Sequence, residues 1–266
     1  MRRRRLDVEL VRRSLAASPE EAAEIVAAGR VTVAGRTVDN PGSQVAADEP
    51  IRVLGQPRVH ASRGGAKLAP ALARFGVVPT GRRCLDAGAA TGGFTDVLLA
   101  GGAASVVAVD VGYGQLSWRL RRDPRVTVLE RTNVRDLHPD DLPGPVDLVT
   151  ADLSFISLAT VLPALVAPAA DGADLVLLVK PQFEAPRGEV GPGGVVTDPA
   201  VWLRALRRVA AACGEAGAGP VGAMASPVPG PAGNVEFFLH ARVGRAGAAV
   251  DLEAAVAEGA EVREAS

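Results

Sequence analysis

The sequence predicts an α/β protein in which a doubly wound parallel sheet is preceded by a small α+β domain. Over residues 60–245, near-continuous apolar runs of strand length alternate with helical stretches, which is typical of a buried parallel sheet. A glycine-rich turn follows the first of these runs. Residues 1–59 instead combine capped helices with brief strands, and residues 246–266 form an acidic tail that we expect to be helical or disordered.

Composition indicates a folded protein without a membrane span. Hydrophobic residues make up 48% of the 266 residues and charged residues 22%, which disfavours extensive disorder. No apolar run reaches the roughly 20 residues of a membrane helix, and the basic start Met1–Arg5 lacks the apolar core of a signal peptide. Cys84 and Cys213 match no metal spacing. We therefore expect a cytoplasmic protein with buried thiols and no metal site.

Positive charge is concentrated towards the amino terminus. Residues 1–75 contain 12 arginines and one lysine against eight acidic residues, although the net charge of the whole chain is −1. Such an excess favours a polyanionic partner, and a solvated surface is an equally good interpretation of charge alone.

The first domain begins with two predicted helices. Apolar residues recur at helical spacing over residues 8–15, and Ser18 is a predicted N-cap followed by Pro19 in the first turn of a second helix. Gly29 ends that helix. Short strands are then predicted at residues 31–33, 37–38 and 51–53.

This first domain resembles the RNA-binding domain named after the fourth small-subunit ribosomal protein. The motifs that carry the resemblance are Arg5-Leu6-Asp7, Leu10-Val11, residues 28–35 and residues 48–51. The resemblance implies arginine contacts with RNA phosphates. The candidate RNA-binding residues are Arg4, Arg5, Arg12, Arg13 and Arg30 in this domain, together with Arg63 in the second domain. Pro19 stands where such domains commonly have a basic residue, so we expect little RNA contact from the second helix.

The second domain places a glycine-rich turn between a strand and a helix. Its strands are predicted at residues 83–86, 105–110, 126–129, 146–150, 174–179 and 235–240. The turn, Leu85–Thr95, lacks both the dinucleotide-binding spacing and the Gly-Lys-Ser/Thr of a phosphate-binding loop. A turn needed only for packing would not explain a second acidic residue, Asp110, at the end of the next strand.

Asp86 and Asp110 fit a nucleoside with a cationic amino-acid tail, because Asp110 can accept hydrogen bonds from both ribose hydroxyls. The pattern favours S-adenosylmethionine. The candidate cofactor-binding residues are Asp86, Gly88, Thr91, Gly92, Gly93, Phe94 and Asp110.

Lysine is rare in this chain and its placement is informative. Against 27 arginines there are two lysines, Lys67 and Lys180. Lysine can lose its proton when desolvated, whereas arginine effectively cannot. Lys180 ends the fifth predicted strand, Asp152 follows the fourth, and Glu236 lies among apolar residues where an unpaired carboxylate would be costly. Chance placement of two lysines is the alternative.

These motifs together resemble the TlyA (hemolysin A-like) family. The resemblance covers residues 4–242 and rests on residues 62–68, 86–88, 91–95, 151–157, 180–184 and 234–237. It implies a Rossmann-like, FtsJ-like (RrmJ-type) S-adenosylmethionine-dependent domain that methylates the 2′-hydroxyl of cytidines in ribosomal RNA. It also implies ribosomal RNA or ribosomal subunits as partners, with no obligate protein partner. The family's catalytic tetrad carries over to Lys67, Asp152, Lys180 and Glu236.

The mechanistic hypothesis is that Lys180 accepts the proton of the ribose hydroxyl or stabilises the alkoxide. Desolvation and its cationic neighbour Lys67 would neutralise it, and Asp152 would orient it. Lys67 and Glu236 would pair and position the ribose. The glycine-rich residues 187–194 could close over the substrate or be a plain surface loop.

Three other functions remain open on sequence grounds. A non-catalytic protein could hold RNA or cofactor, although the complete tetrad argues against this. A hemolysin should show membrane-length or strongly surface-active segments, and none stands out. A pseudouridine synthase could share the first domain but would not need the nucleoside turn with Asp110.

Overall fold

The computed structural model describes residues 3–13, 15–16, 18–54 and 63–265, without the side chain of Arg63. The described residues divide into two units. The first comprises the described part of residues 1–59 together with Ser117–Asp123, and the second comprises the remainder. The predicted domain boundary between residues 59 and 60 lies outside the described residues.

The first unit is a small α+β fold with its own apolar core. Its elements are β1 (Arg3–Arg5), α1 (Leu6–Arg12), α2 (Pro19–Ala27), β2 (Val31–Val33), β3 (Arg36–Val38), β4 (Gln44–Ala46), β5 (Ile51–Val53) and, from a later part of the chain, α5 (Trp118–Arg121). Strand β1 pairs antiparallel with β4, and β2 pairs antiparallel with β3 and β5. Ser18 caps α2 as predicted, because its hydroxyl accepts a hydrogen bond from the Glu21 amide at 3.2 Å.

The second unit alternates strands and helices. Its helices are α3 (Arg63–Phe75), α4 (Gly93–Ala100), α6 (Leu158–Val166), α7 (Pro181–Glu184), α8 (Pro199–Glu215) and α9 (Leu252–Glu264). Its strands are β6 (Arg83–Ala87), β7 (Ser105–Val109), β8 (Val126–Leu129), β9 (Val146–Ala151), β10 (Ala169–Val179), β11 (Ala218–Ala225) and β12 (Phe237–Val243).

The strands of this unit form one seven-stranded sheet in the order β11-β12-β10-β9-β6-β7-β8. The five strands from β10 to β8 are parallel, and β12 is antiparallel to both β10 and β11. The parallel part has the order of the doubly wound nucleotide-binding fold, which confirms the predicted fold class. The carboxyl ends of β6, β7, β9 and β10 therefore lie along one edge of the sheet.

Residues 246–266, which the sequence predicted to be a helical or disordered acidic tail, contain helix α9. Its Leu252 and Ala255 are buried in the same core as Trp202 and Phe237. Glu258 accepts a hydrogen bond from Arg74 at 2.8 Å on the exposed side of α9. Charged residues on this helix thus face outward while its apolar residues join the core of the second unit. Within the described residues, no helix has the length and apolar character needed to cross a bilayer.

Candidate functional site

Lys180 and Asp152 form an ion pair at the carboxyl ends of two neighbouring strands. Lys180 directly follows β10 and Asp152 directly follows β9. The Lys180 Nζ atom lies 2.5 Å from Asp152 Oδ1 and donates a second hydrogen bond to the Ser154 hydroxyl at 3.1 Å. The lysine is 9% exposed. A cationic head group is thereby held at the sheet edge by two oxygen acceptors.

Lys67 and Glu236 form a second, more deeply buried pair. Lys67 lies on α3, and its Nζ donates to Glu236 Oε2 at 2.6 Å. Both residues are at most 6% exposed. Val179 of β10 pairs with Phe237 of β12 at this end of the sheet. Lys180 directly follows Val179, and Glu236 directly precedes Phe237. The two pairs are therefore neighbours at the same end of the sheet.

The ion pair between Lys67 and Glu236 reduces the positive charge that acts on Lys180. Both pairings match the hypothesis, in which Asp152 orients Lys180 and Lys67 pairs with Glu236. However, the negative charge of Glu236 compensates the positive charge of Lys67. Lys67 therefore repels a positive charge on Lys180 less than an isolated lysine would. The catalytic roles of the four residues stay predictions.

The glycine-rich turn brings the backbone of β6 against the segment that contains Asp152. Gly88 has φ of +84°, and a Cβ atom there would lie 2.4 Å from the Asp152 carbonyl oxygen. The Asp152 amide also donates to the Ala87 carbonyl at 2.9 Å. Only glycine fits such a close approach. Gly88 therefore couples the shape of the turn to the position of Asp152.

Asp110 follows β7 and borders a small pocket beside the turn. Its two carboxylate oxygens accept hydrogen bonds from the amides of Ala90, at 2.9 Å, and Gly112, at 2.6 Å. Each oxygen keeps a further lone pair for a ligand hydroxyl. The residues lining the pocket include Ala89, Ala90, Asp110, Gly112, Val128 and Glu130. The lining of this pocket thus combines small apolar side chains with two acidic residues, Asp110 and Glu130.

The other predicted cofactor residues differ in how far a ligand can reach them. Asp86 is fully buried, accepts a hydrogen bond from Thr95 at 2.6 Å, and has a pKa that burial raises to about 7 against the opposing effect of that hydrogen bond. Phe94 is 3% exposed. Thr91 is exposed, next to Gly92 and Gly93 at the start of α4. Asp86 and Phe94 can therefore act on a ligand only by supporting the turn.

The glycine-rich residues 187–194 are tied to the second unit at several points. Asn234 donates to the Gly194 carbonyl at 2.9 Å and accepts from the Val196 amide at 2.9 Å. Glu189 accepts from Arg204 at 2.7 Å on the surface. Closure of this segment over a substrate would have to break these contacts, and it stays a hypothesis.

Three of the predicted RNA-binding arginines share one buried carboxylate. Glu9, on α1, is fully buried. It accepts two hydrogen bonds from Arg12, at 2.8 and 2.6 Å, one from Arg13 at 2.8 Å and a longer one from Arg4 at 3.4 Å. Arg5 forms a similar two-point contact with Asp7, at 3.1 and 2.7 Å. These arginines form a positively charged cluster that its own acidic residues hold in place.

The arginines differ in how much of their charge faces solvent. The side chains of Arg4, Arg5 and Arg12 are 39–59% exposed, whereas that of Arg13 is 21% exposed. Arg13 also donates to the carbonyls of Glu49, Ala47 and Ala46, at 2.8, 2.9 and 3.4 Å. Arg13 is thus chiefly a structural link.

Two further candidate arginines are less informative. Arg30 donates to the Leu54 carbonyl at 3.1 Å, which ties the start of β2 to the end of β5. The side chain of Arg63 lies outside the described residues.

Glu9 makes the first unit sensitive to acid. Hydrogen bonds from Arg12 and then Arg13 lower its pKa from its ordinary value near 4.5 to about 2, despite burial. Because the folded-state pKa is depressed, its stabilising contribution is complete above about pH 4.5 and is lost as pH falls towards 2. We expect Glu9→Gln to be less stable than the wild type at pH 7, with a difference that narrows at pH 3. Urea unfolding of both full-length proteins at the two pH values measures this, and an unchanged difference would contradict it.

Comparison with protein families identifies the second unit. Residues 60–243 match the model of the FtsJ-like methyltransferase family, and residues 4–51 match that of the S4 domain. The chain belongs to the FtsJ-like methyltransferase family. The sheet edge at the carboxyl ends of β6, β7, β9 and β10 accordingly lies within an FtsJ-like methyltransferase domain.

Relatives of this methyltransferase match it over nearly its full length. It is 57% identical over 258 residues, 96% of each chain, to a protein of Mycobacterium tuberculosis named 16S/23S rRNA (cytidine-2′-O)-methyltransferase TlyA. It is 35% identical over 240 residues, 89% of this chain and 98% of the relative, to a Brachyspira hyodysenteriae protein named Hemolysin A.

Solved structures confirm the architecture of the methyltransferase. A hemolysin candidate from Streptococcus thermophilus superposes with a TM-score of 0.77 at 36% identity, covering 100% of this chain and 98% of its own. A second one, from Lactococcus lactis, has a TM-score of 0.73 at 39% identity and covers 76% of this chain and 99% of its own.

Three residues of this methyltransferase's site escaped the sequence interpretation. Ser154 holds Lys180, and Glu130 borders the pocket beside Asp110. Phe155 is 92% exposed, has φ of +63° and packs on Phe183 at 5.2 Å between ring centres. Glu130 follows β8 as Asp110 follows β7, so the rule that identified Asp110 could have found it. For Phe155, the available signal was an aromatic residue three positions after Asp152 in a chain with 3% aromatic residues.

Proposed function

We propose that the protein transfers a methyl group from S-adenosylmethionine to the 2′-hydroxyl of cytidine in ribosomal RNA. The observation that carries the proposal is the Lys180–Asp152 ion pair at the sheet edge, next to the glycine turn. Membership of the FtsJ-like family supports methyl transfer. The name of the Mycobacterium tuberculosis relative supports cytidine in ribosomal RNA as the substrate.

The residues beside the turn fit S-adenosylmethionine. Asp110 and Glu130, which line the pocket beside the turn, would accept hydrogen bonds from the nucleoside, and Gly88 would keep the turn in place through its close approach to the Asp152 carbonyl. When bound, this cofactor supplies an electrophilic methyl group, which the protein has no side chain to provide.

The chain's own residues must activate the hydroxyl. A ribose hydroxyl is a poor nucleophile at neutral pH, so its proton has to be removed as it reacts. Lys180 would first release a proton to solvent, and its neutral Nζ would then accept the hydroxyl proton as the ribose oxygen forms its bond to the methyl group. Asp152 and Ser154 fix the direction of the amine. The Lys67–Glu236 pair would hydrogen-bond to the ribose and keep it in line.

The first unit would supply affinity for RNA. The S4 domain match and the exposed arginines Arg4, Arg5 and Arg12 support contacts with phosphates. Such contacts make binding fall steeply with salt concentration. Helix α2 contributes less, since its first turn presents Glu20 and Glu21 where a phosphate contact would need a cation.

Phe155 would serve as a platform for the target base. Its exposed ring packs on Phe183, and the centre of the Phe183 ring lies 6.0 Å from the Lys180 Nζ atom. Stacking of a base on an aromatic ring is worth about 1–3 kcal/mol. We therefore expect Phe155→Ala to lower methylation of RNA by about 10-fold or more while cofactor affinity stays within twofold. Phe155→Tyr is the matched control and should remain active. Equal activity of the alanine variant and the wild type would contradict this role.

One assay tests the function itself. Purified protein is incubated with isolated ribosomal subunits and methyl-labelled S-adenosylmethionine, and the digested RNA is separated into nucleosides. We expect the label in 2′-O-methylcytidine, and none with Lys180→Ala. Label on a base, or none with any subunit, would contradict the proposal, and cofactor or RNA binding without transfer would favour a non-catalytic binding protein.

A further inference from the structure

Glu184 is a buried carboxylate that the chemistry proposed above does not use. It ends α7, four residues after Lys180, and is 4% exposed. Its Oε2 atom accepts a hydrogen bond from the Ser157 hydroxyl at 2.5 Å, and its Oε1 atom accepts one from the Leu158 amide at 2.6 Å. Burial raises the pKa of Glu184, and these two hydrogen bonds oppose that effect.

Both donors lie at the start of α6. Ser157 occupies the N-cap position of this helix, but its own side chain makes no capping hydrogen bond. Glu184 instead accepts from the first amide of the helix, so the cap comes from a different segment of the chain. The cap of α6 therefore depends on where α7 lies.

The two segments that Glu184 joins are the ones that carry the Lys180–Asp152 pair. One runs from Asp152 to Ser157 after β9, and the other runs from Lys180 to Glu184 after β10. At their beginnings they are linked through Lys180, which contacts Asp152 and Ser154. At their ends they are linked through Glu184. Between these two links, Phe155 packs on Phe183, so the Lys180–Asp152 pair is one of several contacts that hold the segments together.

The main chain of Glu184 is anchored as well. Arg208, on α8, donates to the Glu184 carbonyl at 3.0 Å. Its side-chain and main-chain oxygens thus connect α6, α7 and α8. A residue held in this way can transmit the position of the helices to the sheet edge.

We propose that Glu184 is a positioning residue that fixes the separation between Lys180 and Asp152. This rests on the proposed function, in which that pair activates the hydroxyl. Without the Glu184 carboxylate, the first turn of α6 loses its cap and the Asp152–Ser157 segment can move away from Lys180. Displacements of about 1 Å at a catalytic pair lower rates by up to about 100-fold.

The small number of lysines allows a test that does not depend on activity. Protein grown with lysine labelled with carbon-13 at Cε gives two lysine side-chain signals, from Lys67 and Lys180. We expect Glu184→Ala to shift the Lys180 signal while the Lys67 signal stays in place. Glu184→Gln should restore most of the wild-type behaviour, because an amide can accept from Leu158 and donate to Ser157.

Val161→Ala is the matched control. Val161 is fully buried on α6, so its truncation destabilises the same helix and leaves the cap intact. Both lysine signals should stay in place in this variant. If Glu184→Ala does not fold, Ser157→Ala removes the Oε2 contact alone and should give a smaller shift of the Lys180 signal in the same direction.

Kinetics complete the test. In single-turnover methylation, Glu184→Ala should be about 10-fold slower or more, with cofactor affinity within twofold of the wild type. An unmoved Lys180 signal, or a rate no lower than that of Val161→Ala, overturns the proposal. A shifted Lys180 signal in a protein whose wild type transfers no methyl group would refute the proposed function and leave the positioning role intact.

Discussion

Lys180→Arg is expected to abolish methyl transfer almost as completely as Lys180→Ala. Arginine preserves the positive charge and can still meet Asp152 and Ser154, but it does not give up its proton. If Lys180 must accept the hydroxyl proton, the rate should fall by at least about 100-fold, while cofactor and RNA affinities change little. Lys67→Arg should be milder, because Lys67 mainly supplies a charge opposite Glu236.

Single-turnover methylation across a pH series distinguishes the two lysines. If the reaction requires a lysine that accepts a proton, the wild-type rate should depend on pH, and this dependence should be missing from any residual activity of Lys180→Arg. Near-normal turnover by Lys180→Arg would make Lys180 an electrostatic anchor. Asp152 would then be the next candidate for the base, since its Oδ1 atom lies 2.5 Å from the lysine Nζ.

Gly88→Val is expected to remove cofactor binding and methyl transfer together. Its Cβ would lie 2.4 Å from the Asp152 carbonyl oxygen at a φ of +84°, so the turn and the Asp152 segment cannot both keep their positions. We expect cofactor affinity to fall by about 100-fold, which corresponds to roughly 2.7 kcal/mol. Calorimetric titration with S-adenosylmethionine measures the loss.

Gly217→Val is the matched control for this variant. Gly217 has nearly the same φ, +85°, but a Cβ there meets nothing within 4 Å. It therefore reproduces the backbone strain without the collision, and its cofactor affinity should be unchanged. Unchanged affinity for Gly88→Val would remove the cofactor site from this turn. Asp110→Asn, which replaces one acceptor oxygen, should weaken binding more modestly.

The parallel part of the sheet was predictable because its strands are buried on both faces. Continuous apolar runs such as residues 174–179 allow few other interpretations, and each predicted strand there overlaps an observed one. Strand β11 was missed. Its sequence contains Pro220 and Gly222, which normally argue against a strand, and it tolerates them as an edge strand whose register shifts between these two residues.

Contacts between residues far apart in the sequence were harder to predict than the helices and strands. Topology alone brings Lys180, Asp152 and Asp110 to one edge, since all three follow parallel strands. No spacing rule places Glu184 on Ser157 or connects Gly88 to the Asp152 carbonyl, because these contacts depend on loop conformations. The Glu9 cluster was partly predictable, since Arg12 and Arg13 lie three and four residues after Glu9 on α1.

Mapping of 2′-O-methyl groups on ribosomal RNA tests the central claim most directly. Ribosomal RNA from cells that lack this protein is compared with RNA from cells that produce the wild type or Lys180→Arg. The account predicts at least one cytidine whose ribose is methylated only when the wild-type protein is present. Identical 2′-O-methylation in all three strains, or a lost modification that lies on a base, would contradict it.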